Sequence, residues 1–329
     1  MRAVSLLPSA TEIVSIIGAD ALLVGRSHEC DFPDRIAGLP ALTSQRTHYD
    51  PAHGIGAQEI DRAVRQQLDA HDSLYRLDVD RLLELAPDLI ITQDLCDVCS
   101  IDLETVRGAA RTIAERTGAE PEIVSLDPHT IEAVIDDVHR VGRAMGLPEK
   151  ARDAAVTLRD RFFRTEEHVN AFAAKPIVGF LEWTDPLFIA GHWNVELIER
   201  AGGRHPLNET VAKSGHGAAE GPMRGERVAG KSVAVTPEVF NASQPDAIVI
   251  APCGLTLDQA WYEAERLMEQ AWFRELPAVK AGRVAVVDGS AMFNRPGPRL
   301  VDAFEWLVGW LNDRPELIPI DFPWRELGT

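Results

Sequence analysis

Apolar runs of four to six residues, closed by turn-forming residues, alternate with stretches of helical periodicity along most of the chain. The runs predict strands at residues 3–7, 22–25, 89–92, 123–126, 177–182, 247–251 and 284–287. Two of them share a lead-in, Pro87-Asp88 and Pro245-Asp246, which breaks a helix and starts a buried strand. Helices are expected at 10–17, 79–85, 103–117, 130–145, 257–267 and 299–311. Strands apolar on both faces, separated by helices, belong to parallel sheets covered on both sides, which is an α/β architecture. From 149 to 174 the chain has neither Pro nor Gly, and Pro148 and Pro176 bracket it. Ala154, Ala155, Leu158, Phe162 and Phe163 give that stretch a helical apolar pattern. A continuous helix there would be about 39 Å long, enough to connect two lobes. The expected division is a lobe at 1–146, a connecting helix at 147–175 and a second lobe at 176–329. The polar stretch 44–72 receives no assignment.

A length of 329 residues suits two lobes, and 45% hydrophobic with 26% charged residues is the balance of a globular chain. Acidic residues lead basic ones by 51 to 33, a net charge of -18. Such a chain repels phosphate backbones and anionic bilayers, so neither nucleic acid nor membrane is an expected partner. No run of eighteen apolar residues exists for insertion. The opening Met1-Arg2-Ala3-Val4-Ser5 lacks the apolar region of a signal peptide and any lipobox cysteine, and the expected location is cytoplasmic. In that compartment Cys30, Cys96, Cys99 and Cys253 stay thiols.

Ligands of open parallel sheets bind beyond the carboxyl ends of the strands, so the loops there carry the candidate chemistry. They hold Pro8 and Ser9; His28, Cys30 and Phe32; Gln93, Asp94, Cys96 and Cys99; Trp183; Cys253; and Phe293, Asn294 and Arg295. Phe188 and Trp193 lie a little downstream of Trp183. All four cysteines fall in such loops. His28, Cys30, Cys96, Cys99 and Cys253 form a donor set suited to zinc or another soft ion. Enzyme signatures are missing: there is no GxGxxG, P-loop, HExxH or GxSxG. Asp94 and Asp97 around the Cys96-x-x-Cys99 pair would raise the thiol pKa and weaken a redox nucleophile.

The opening Val4-Ser5-Leu6-Leu7-Pro8-Ser9-Ala10-Thr11-Glu12, followed by Leu23-Val24-Gly25-Arg26-Ser27, resembles the start of the substrate-binding proteins of cobalamin and iron-chelate ABC importers. Leu85-Ala86-Pro87-Asp88-Leu89-Ile90 and Ser243-Gln244-Pro245-Asp246-Ala247-Ile248 look like that family's two strand lead-ins. The segments 27–33 and 93–99 are similar to a leaderless subgroup labelled cobalamin-binding proteins. The resemblance implies two Rossmann-like lobes, a rigid helix joining them and a ligand cleft between them. It implies binding without catalysis. A corrinoid would be held by aromatic walls from Phe32, Trp183, Phe188, Trp193 and Phe293, with Asn294 and Arg295 reaching its amides and His28 near its cobalt. The alternative ligand is a metal ion or metal chelate on the Cys/His set, with Cys30, Cys96 and Cys99 together and His28 in reach. A thiol-dependent enzyme is the third reading. By position, Glu104 and Glu238 look like the acids through which exported relatives dock on an ABC permease.

Overall fold

The computed structural model describes residues 1–46, 56–70, 74–93, 103–170, 172–213 and 227–328. The chain forms two compact units. Met1–Asp50, Arg62–Pro128 and Glu132–Arg159 make the first; Pro51–Asp61, His129–Ile131 and Asp160–Thr329 make the second.

The first half runs β1 (Ala3–Ser5), α1 (Pro8–Ile16), β2 (Leu23–Arg26), β3 (Thr43–Gln45), α2 (Ala57–Ala70), β4 (Tyr75–Leu77), α3 (Val79–Leu85), β5 (Leu89–Gln93), α4 (Leu103–Thr117), β6 (Glu122–Leu126), α5 (Ile131–Ala144) and α6 (Pro148–Glu166). Its sheet has the order β2-β1-β5-β6, and every pairing is parallel. The predicted strands sit there because their side chains have no polar face to offer water. Leu89, Ile90 and Ile91 are all buried, and Ile90 packs with Val4, Leu82, Val106 and Ile113. The Pro-Asp lead-in works as a switch: α3 starts on an Asp78 cap, which accepts the Arg81 N–H at 3.0 Å. It ends on Ala86 at φ 41°, and Pro87 prevents any further turn. Asp88 then accepts the Arg2 N–H at 2.7 Å, beside the start of β1. An antiparallel pair, β3 with β4, was not expected from sequence.

The second half runs β7 (Val178–Thr184), β8 (Leu187–Ile189), α7 (His192–Arg200), β9 (Val211–Ala212), β10 (Arg227–Val228), β11 (Val233–Val235), α8 (Pro237–Ala242), β12 (Ala247–Ile250), α9 (Leu257–Glu269), α10 (Ala271–Arg274), α11 (Pro277–Lys280), β13 (Val284–Val287), α12 (Leu300–Leu311) and β14 (Trp324–Glu326). The main sheet has the order β11-β8-β7-β12-β13-β14. Here the expectation of a wholly parallel sheet is corrected. Only β7, β12 and β13 pair in parallel; β8 runs against β7, β14 against β13, and β11 pairs antiparallel with β8. The tight Thr184–Leu187 turn sends β8 straight back along β7, which leaves no length for a helical crossover.

The stretch 149–174 is also shorter as a helix than expected. α6 has 19 residues, about 28 Å. Beyond Glu166 the backbone tightens to i→i−3 bonds, His168 to Thr165 and Val169 to Glu166. Asn170 then turns the chain by accepting the Phe172 N–H at 3.0 Å. The boundary between the two units falls inside α6, between Arg159 and Asp160. On the second-unit side Arg161 holds α12 through Asp302 at 2.5 Å and Glu305 at 2.6 Å.

Candidate functional site

In the first unit the loops after β1 and β2 are knitted together by hydroxyls. Pro8 opens α1 at its first turn, where a missing N–H costs nothing. Ser9 is buried, so its side chain is a packing element, whereas Pro8 is half-exposed. Thr11 donates to Ser5 Oγ at 2.8 Å and to Cys30 Sγ at 3.0 Å. Cys30 is accordingly buried at 2% exposure against α1. The adjoining Thr43 Oγ1 gathers three partners: Ser27 Oγ at 2.9 Å, the His28 N–H at 3.0 Å and His28 Nδ1 at 2.6 Å. His28 Nε2 is buried without a hydrogen-bond partner. Burial holds the imidazole below its ordinary pKa, against the opposing pull of Glu29. Tyr75 stands over His28 with ring centroids 5.4 Å apart and donates to Glu29 Oε1 at 2.8 Å. Phe32, before a cis Pro33, is 44% exposed and is the open apolar face of this loop. Gln93 ends β5, half-buried.

Asp94, Cys96 and Cys99 lie outside the described residues. Among the described residues no group of three or more His, Cys, Asp and Glu side chains is placed to hold a metal ion. His28 and Cys30 each hydrogen-bond to a threonine, and Cys253 lies in the second unit.

In the second unit Trp183 and Phe188 face each other as β7–β8 partners, both half-buried. Trp183 Nε1 donates to Asp185 O at 3.2 Å. Trp193 and Phe293, expected as ligand walls, are core residues at 6% and 1% exposure. Trp193 Nε1 donates to Phe293 O at 2.6 Å, and the Phe293 ring packs edge-on to Phe180 and Trp306. Asn294 spends its amide on Ala251 O and Gly289 O, both at 2.9 Å, so it braces two loops. That brace is close: a Cβ on Gly289 would stand 1.9 Å from Pro252 O. Arg295 reaches Ser290 Oγ at 3.3 Å. Cys253 is exposed and its N–H donates to Glu182 O at 2.9 Å.

Sequence reasoning missed Glu182. Its carboxylate accepts from Asn194 Nδ2 at 2.8 Å, from the Gly191 N–H at 3.2 Å and from Ser232. Burial pushes its pKa up, while those three donors pull it back. A second missed carboxylate, Glu263, is 4% exposed and accepts from Thr184 at 2.9 Å and from the Ala57 N–H at 3.0 Å. A charged residue between Tyr262 and Ala264 on an amphipathic helix carries no sequence signal of such a role. Glu104 is exposed and paired with Arg107 at 2.6 Å; Glu238 is exposed in the first turn of α8, its pKa lowered by Thr236.

A family profile described as periplasmic binding protein matches residues 4–291. A vitamin B12-binding protein of Photorhabdus laumondii is 23% identical over 318 residues, covering 95% of this chain and 88% of the relative. Among solved structures, a periplasmic heme binding protein from Pseudomonas aeruginosa superposes with a TM-score of 0.67 at 21% identity, covering 100% of this chain and 98% of that one. The periplasmic vitamin B12 binding protein of Vibrio cholerae gives 0.63 at 20% identity, covering 96% and 98%.

Proposed function

The chain belongs to the periplasmic binding protein family, and on that premise we propose that it is a non-catalytic receptor for a corrinoid of the cobalamin type. The observation that carries this reading is the match, over 95% of the chain, to a relative named as a vitamin B12-binding protein. The loops add chemistry that suits a broad macrocycle. In the second unit Trp183 and Phe188 keep apolar surface open near the strand ends. Among the described residues, the buried or half-buried carboxylates Glu182, Glu263 and Asp288 each accept backbone or side-chain donors. In this reading the ligand is passed to an ABC permease, with Glu104 and Glu238 as exposed acidic contacts.

Protein purified without ligand is mixed with hydroxocobalamin, and free ligand is removed by gel filtration. The proposal expects a protein peak carrying the corrinoid spectrum. A colourless protein overturns it, and a parallel arm with hemin that alone colours the peak reassigns the ligand to heme.

A further inference from the structure

Two histidines with no place in the corrinoid reading meet in the second unit. His129 precedes α5 in the short segment His129–Ile131, which clusters with that unit, and His192 is the first residue of α7. Their Nδ1 atoms are 3.1 Å apart and their ring centroids 5.1 Å, with the planes tilted by 45°. His129 is exposed and His192 half-buried, so solvent reaches the pair.

The position of His192 is held from three sides. Its N–H donates to Gly230 O at 2.9 Å, and its ring stacks on Trp193 at 5.7 Å between centroids. Its backbone sits at φ 48°, in the left-handed region that few L-residues adopt. One turn further along α7, Glu196 accepts the Ile131 N–H at 2.9 Å, which fixes the chain two residues beyond His129. Both rings are therefore set by the frame before any ion arrives.

Divalent zinc binds imidazole nitrogen at about 2.0–2.1 Å. Two such nitrogens stand about 3.4 Å apart at a tetrahedral angle and about 2.9 Å apart at a right angle. The observed 3.1 Å lies between these values. Two neutral rings at that distance share one N–H; an ion replaces it once the donor ring carries its proton on Nε2 instead.

We propose that His129 and His192 chelate one divalent transition-metal ion, with the remaining coordination positions open to water or a small ligand. A third protein donor is not placed there among the described residues.

The test titrates zinc chloride into the chelator-treated, dialysed 329-residue chain by calorimetry. The variants are His129→Gln and His192→Asn, since asparagine tolerates the left-handed backbone, alongside a Cys96→Ser/Cys99→Ser variant. The proposal expects one ion per chain, with a dissociation constant raised at least about tenfold in each histidine variant, the lower end of what even an outer-shell change costs. The cysteine variant should keep the site. Absence of zinc binding by the parent protein overturns the proposal, as does binding that survives both histidine changes or disappears with the cysteines. Melting temperatures in excess chelator, unchanged in the histidine variants, separate loss of a ligand from loss of fold.

Discussion

Asp137 contributes less stability at neutral pH than in mild acid, and its replacement by Asn should remove that difference. The residue lies in α5 at 3% exposure. Arg140 donates to its Oδ1 at 2.8 Å, while Oδ2 is buried without a hydrogen-bond partner. Burial, opposed by Arg140 and aided slightly by Asp136 and Asp127, raises its pKa from 3.8 to about 6. The folded state therefore binds a proton more tightly than the unfolded chain does. The stabilisation this brings is complete below about pH 4 and is lost as pH rises through about 6. At about 1.36 kcal/mol per pH unit between the two values, the loss amounts to about 3 kcal/mol. Asp137→Asn keeps an acceptor for Arg140 and never ionises. Urea unfolding followed by far-UV circular dichroism should show the variant more stable by up to about 3 kcal/mol at pH 8 and equal to the parent near pH 4. Circular dichroism is needed because all seven tryptophans lie in the second unit, whereas Asp137 is in the first. A difference between variant and parent that is the same at both pH values would refute the argument, because only ionisation of Asp137 makes it vary.

Three further outcomes follow from the site geometry. Phe293→Ala should cost about 3–5 kcal/mol of stability, as a core aromatic does, and a loss below about 1 kcal/mol in thermal or urea unfolding would return Phe293 to the ligand wall. Glu182→Ala leaves the Asn194 amide, the Gly191 N–H and Ser232 without their acceptor and should destabilise by at least about 2 kcal/mol; an unchanged melting temperature contradicts its bracing role. Glu104→Ala with Glu238→Ala should leave ligand affinity untouched and slow transport by a reconstituted permease, and transport at the parent rate removes both residues from the docking surface.

The sheet cores were readable because a buried parallel strand has no polar face. Leu89–Gln93, Ala247–Ile250 and Val284–Val287 all lie within a residue of the apolar runs. Short strands left little trace. Leu187–Ile189 and Val233–Val235 are three residues each, too brief for any periodicity. The helix Ala57–Ala70 escaped because its charged residues hide a sparse stripe, Ile60, Val64 and Leu68, at four-residue intervals. Its placement within 44–72 shows that this spacing was the signal to follow. For the site, sequence marked the loops but not the direction of their side chains. Ser9, Cys30, Trp193 and Phe293 all sit in or beside strand-end loops, yet point into packing. Nothing in a linear pattern says that Thr11 will turn back onto Cys30, or that Phe293 at φ 64° will face Phe180.

The claim of a corrinoid receptor is tested most directly by equilibrium titration. Hydroxocobalamin is added to the 329-residue chain while its visible spectrum and the heat of binding are followed. The account predicts saturable binding of one corrinoid per chain, weakened when Trp183 and Phe188 are both replaced by alanine. Binding that never saturates, or a protein that ignores hydroxocobalamin and takes up hemin stoichiometrically, would contradict it.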